Sequence, residues 1–73
     1  MVLIIRDKMS CLIKRTTTFE GKDTVFYFVR LTVLGPMFNL RSTATVFESR
    51  EEAQEMIDEN LGGLEGIIEI EEI

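Results

Sequence analysis

Ten carboxylates fall within the last 26 residues of the chain, at Glu48, Glu51, Glu52, Glu55, Asp58, Glu59, Glu65, Glu69, Glu71 and Glu72. Carboxylates can exchange protons, collect a divalent cation or answer a basic surface. Proton exchange near neutrality needs a setting that lifts one carboxyl pKa, whereas these side chains crowd onto positions that read as exposed. A calcium loop needs a glycine turn among its ligands, and that spacing is missing. Zinc finds too few nitrogen and sulfur ligands, because there is no histidine and Cys11 is the only thiol. Cys11 would become a nucleophile only beside a base; as a small apolar side chain it reads as core. Ser10, Ser42 and Ser49 have no base close in sequence. Gly62-Gly63 and Gly66 lack the leading strand and following lysine of a phosphate cradle. The residues point away from catalysis, and no catalytic, cofactor-binding or metal-binding residue is assigned.

Binding is the chemistry that remains. Ser49-Arg50-Glu51-Glu52 is a capping box: the serine hydroxyl can accept the Glu52 amide while the Glu52 carboxylate reaches back to the serine amide. A helix starts there. Ala53, Met56, Ile57 and Leu61 recur at helical spacing on its inner face, and Gly62-Gly63 ends it. Its outer face is Glu51, Glu52, Glu55, Asp58 and Glu59. Glu51 with Glu55, and Glu55 with Glu59, are like charges four residues apart, each pair costing roughly 0.2–0.5 kcal/mol. Asp58 and Glu59 also sit where the helix dipole prefers cations. The plain alternative is a solvated face that keeps a small protein soluble. The sharper reading is a face that answers a basic protein, mimicking phosphates toward a nucleic-acid-binding partner. A third reading has Lys14, Arg15, Arg30 and Arg41 of a second copy meet it.

The remaining elements must carry that helix. Val2 to Ile5 reads as a short buried strand, and Ser10 to Phe19 as a second. Glu20-Gly21-Lys22-Asp23 is a hairpin turn. Thr24 to Leu34 alternates as a strand whose odd positions, Val25, Tyr27, Val29, Leu31 and Val33, form an apolar face that should be core. Phe26 and Phe28 then lie on the opposite face. Gly35-Pro36 ends this strand, Met37 to Arg41 is ambiguous, and Thr43 to Phe47 reads as a further strand. Ile67 to Ile73 closes the chain as a strand with Ile68 and Ile70 inward and Glu69 and Glu71 outward. The expected fold is α+β: an antiparallel sheet of four to five strands, in β-β-β-β-α-β order, with one helix packed on one face.

Charge follows the same division. Residues 1–47 carry a net +4 and residues 48–73 a net −9, within a total of −5. Seventy-three residues form one domain, 1–73, near the lower limit for independent folding. With one cysteine no internal disulfide forms, so a second subunit is the expected staple and a reducing cytoplasm the expected setting. One helix covers one sheet face, which leaves Phe26 and Phe28 for self-association, with a dimer the first expectation. The apolar runs are too short to cross a bilayer, which takes about 20 residues, and no signal peptide is read. Phe26, Tyr27 and Phe28 beside Arg30 also raise nucleic-acid stacking on a basic, aromatic sheet. The net charge opposes that reading. The RNA-recognition signature is unmatched.

Phe47-Glu48-Ser49-Arg50-Glu51-Glu52-Ala53, the helix after it and the strand Ile67-Ile68-Glu69-Ile70 resemble the tail of many small phage and prophage proteins. The resemblance covers the last third of the chain and transfers no functional residue. It implies an accessory protein of a phage or mobile element, working in the host cytoplasm. The reading reached is a small non-catalytic interaction protein, without cofactor or membrane anchor, that binds and modulates or inhibits a host protein through the acidic helix and self-associates through the sheet. The alternatives are a nucleic-acid-binding module and a purely structural homo-oligomer.

Overall fold

Strands β1 (Cys11–Phe19) and β2 (Lys22–Thr32) meet through Glu20-Gly21, whose φ angles are 51° and 80°. Two positive φ values give a two-residue loop the twist its strands need. Glycine adopts that conformation freely, and glutamate does so against its Cβ. The structure, a computed structural model, describes residues 10–73. The expected strand Val2 to Ile5 lies outside the described residues.

After β2 come β3 (Gly35–Asn39), a single 3₁₀ turn at Arg41–Thr43, helix α1 (Arg50–Asn60) and β4 (Ile67–Glu72). The four strands form one sheet in the order β3-β2-β1-β4, and every neighbouring pair is antiparallel. The fold is the expected α+β arrangement of one antiparallel sheet and one helix. Two local expectations change. Gly35-Pro36, expected to end a strand, opens β3 instead, while β2 ends at Thr32 before the turn Val33-Leu34; β3 is an edge, and an edge tolerates a residue that cannot donate. Thr43 to Phe47 is a crossover and not a strand of the sheet, which it meets through an isolated bridge of Phe47 with Cys11 and through bonds from Thr45 to β2.

A bulge explains that crossover. Phe28 pairs with Phe38 and Arg30 with Met37, so Val29 is the extra residue in β2. A bulge bends its strand and frees ladder groups. Thr45 takes them: its amide donates to the Phe28 carbonyl at 3.0 Å and its hydroxyl donates to the Val29 carbonyl. Beside it, Phe47 exchanges two backbone bonds with Cys11, at 2.9 and 2.8 Å, on the β1 edge that β2 has left.

The bulge also decides which side chains meet the helix. Opposed residues share a face of the sheet, so Phe28 lies with Phe38, while Arg30 lies with Met37 on the other side. The alternation of β2 therefore reverses after Phe28, at Val29, and its odd positions form no continuous face. Val25 and Leu31 are exposed, Val33 lies in the turn beyond β2, and of the expected odd-face core only Tyr27 is buried, with Val29 half-buried. Helix α1 packs instead over Cys11, Ile13 and Phe28, with Phe47, Ala53 and Leu61 completing the core. Phe38, Met56, Ile57, Leu64, Ile68 and Ile70 pack around it. Phe28 is the centre: its ring lies 5.9 Å from Phe38, edge-on, and 6.0 Å from Phe47.

Candidate interaction surface

The helix is set by its N-terminus. Ser49 Oγ accepts the Glu52 amide at 3.2 Å, as its position in the capping box requires. The Glu52 carboxylate accepts the amide of Glu48 at 3.2 Å, one residue before the expected serine amide. Ala53, wholly buried, faces the sheet, and this turns the charged side of α1 outward. Glu51, Glu52, Glu55, Asp58 and Glu59 are all exposed. Gln54 donates to Asp58 at 2.9 Å, and no basic residue occupies the last turn. Among the described residues, none of these five carboxylates forms a salt bridge.

The acids of β4 behave differently. Lys14 stands opposite Glu69 in the β1–β4 register, their charged ends 3.6 Å apart. Arg41 meets Glu71 at 2.8 Å, and Arg50 meets Glu72 at 3.1 Å. Arg15 donates to the Glu65 carbonyl at 2.9 Å and lies over the Phe38 ring. Two cations of the basic half, Lys14 and Arg41, and Arg50 of the helix are thus paired with the chain's own last strand. The five acids of the helix face have no such partner among the described residues.

Tyr27 and Glu71 form a polar cluster that composition alone did not single out. The Tyr27 hydroxyl donates to Glu71 Oε1 at 2.8 Å, Arg41 Nε donates to Oε2 at 2.8 Å, and the Arg41 guanidinium lies over the Tyr27 ring. The Tyr27 hydrogen bond first, and Arg41 second, hold the Glu71 carboxyl below the ordinary range. The same bond, helped by burial, pushes the Tyr27 hydroxyl up. Only register could have shown this, since Lys14 pairs with Tyr27 on one side and Glu69 on the other, one pleat from Glu71. Burial pushes the Cys11 thiol up, with Glu72 adding to it, so this buried thiol is held away from the thiolate form.

The two self-association residues part company. Phe28 is 2% exposed at the centre of the core and offers no surface; Phe26 is 40% exposed. The face opposite α1 carries Lys14, Tyr27, Asn39, Glu69 and Glu71 together with Leu12, Val25 and Ile67; Leu12 and Tyr27 are buried there, while Asn39, Glu69, Val25 and Ile67 are exposed. Of the pair expected to self-associate, Phe26 alone keeps an exposed ring.

No pocket opens in the described surface, and no group of three or more His, Cys, Asp or Glu side chains among the described residues could hold a metal ion. No described helix is long and apolar enough to cross a membrane. Comparison with protein-family models, with curated proteins and with solved structures found no match.

Proposed function

We propose that the chain is a non-catalytic interaction protein whose outer α1 face, Glu51, Glu52, Glu55, Asp58 and Glu59, binds a basic surface of another protein. One observation carries the reading: β4 places its acids against Lys14, Arg41 and Arg50, while the helix acids meet no cation among the described residues. A surface left locally unfavourable by its own charges is relieved by a complementary one, which steers association and selects partners. An accessory role in a phage or mobile element, modulating a host protein in the host cytoplasm, is the biological setting we attach to it. Self-association remains part of the proposal through Phe26 alone. A nucleic-acid stacking platform finds less support, because Tyr27 and Phe28 are buried and Tyr27 is held by Glu71.

The test is a charge reversal, Glu55→Lys with Glu59→Lys, used in affinity capture from host extract beside the unaltered chain. The captured protein is then titrated against both by calorimetry at two salt concentrations. Loss of binding by a folded variant, with salt-sensitive binding by the parent, supports the proposal. Equal affinity for both chains ends it.

A further inference from the structure

We draw no further inference here: the strongest candidate, the exposed apolar tip of the β2–β3 hairpin formed by Val33 and Leu34 with Leu31 and Met37 beside it, carries nothing because no feature of the structure shows what covers it.

Discussion

At Gly66 the chain has no room for a side chain. A Cβ there would stand 2.4 Å from the Thr16 carbonyl oxygen and 2.9 Å from Thr17 Cγ2, and the residue holds φ at 97°. Strain and collision add, so Gly66→Ala should cost about 3 kcal/mol in urea unfolding. Gly21→Ala, with the same kind of φ but open space around it, should cost about 1 kcal/mol. Equal midpoints for the two variants would remove the collision from the account. Tyr27 and Glu71 set a pH signature at this scale. Glu71 titrates lower folded than unfolded, so its contribution is complete above the ordinary carboxylate pKa, about 4.3, and is lost as pH falls through the depressed value. Tyr27 titrates higher folded, so its contribution is complete below about 10 and is lost as pH rises through the raised value. Tyr27→Phe should weaken the dependence at both ends. A dependence on pH unchanged from the parent's would show that the bond does not persist in solution.

Helix α1 was the element most legible in the sequence, because cap, inner face and stop all lie between Ser49 and Gly63. Ser49→Ala should lower stability by about 1 kcal/mol. Reversing Glu55 and Glu59 to lysine should raise it by about 0.5–1 kcal/mol at low salt, as repulsion along the face and at the dipole's negative end is relieved. The gain should shrink in high salt; a gain that salt leaves intact would have another origin. The inward Ile68 and Ile70 of β4 were legible for the same local reason. The faces of β2 were not, because nothing near Val29 announces a bulge. The partner of that bulge is Thr45, sixteen residues away, and counting Val29, Leu31 and Val33 in twos with Tyr27 made the odd face look like core and put Phe28 on the wrong side. The candidate surface was legible as composition, but its distinction from the β4 acids appears only once partners are placed.

For the whole molecule, α1 is the one α-helix among the described residues, and it is short. Its 11 residues span about 17 Å, while the 11 residues of β2 span about 37 Å, so the hairpin arms outrun it. Both sheet edges nonetheless discourage strand addition: β3 carries Pro36, and β4 carries Glu69, Glu71 and Glu72. Any self-association must then use side chains. Phe28→Ala should cost about 3–5 kcal/mol and leave little folded chain, whatever the assembly. Phe26→Glu should keep the circular dichroism of the parent and scatter light as the 8.4 kDa monomer, against a dimeric parent. Identical masses for parent and variant would remove Phe26 from any interface.

The contact between Thr45 and the β2 bulge also bears on the order in which the chain assembles. The β1–β2 and β2–β3 hairpins close two-residue loops and can form early, whereas Thr45 must wait until the bend it fits exists. Its hydroxyl is then a late latch. Thr45→Val should speed unfolding about fivefold for a loss near 1 kcal/mol while leaving the refolding rate nearly unchanged. The crossover would thus govern how long the fold lasts rather than how fast it is reached.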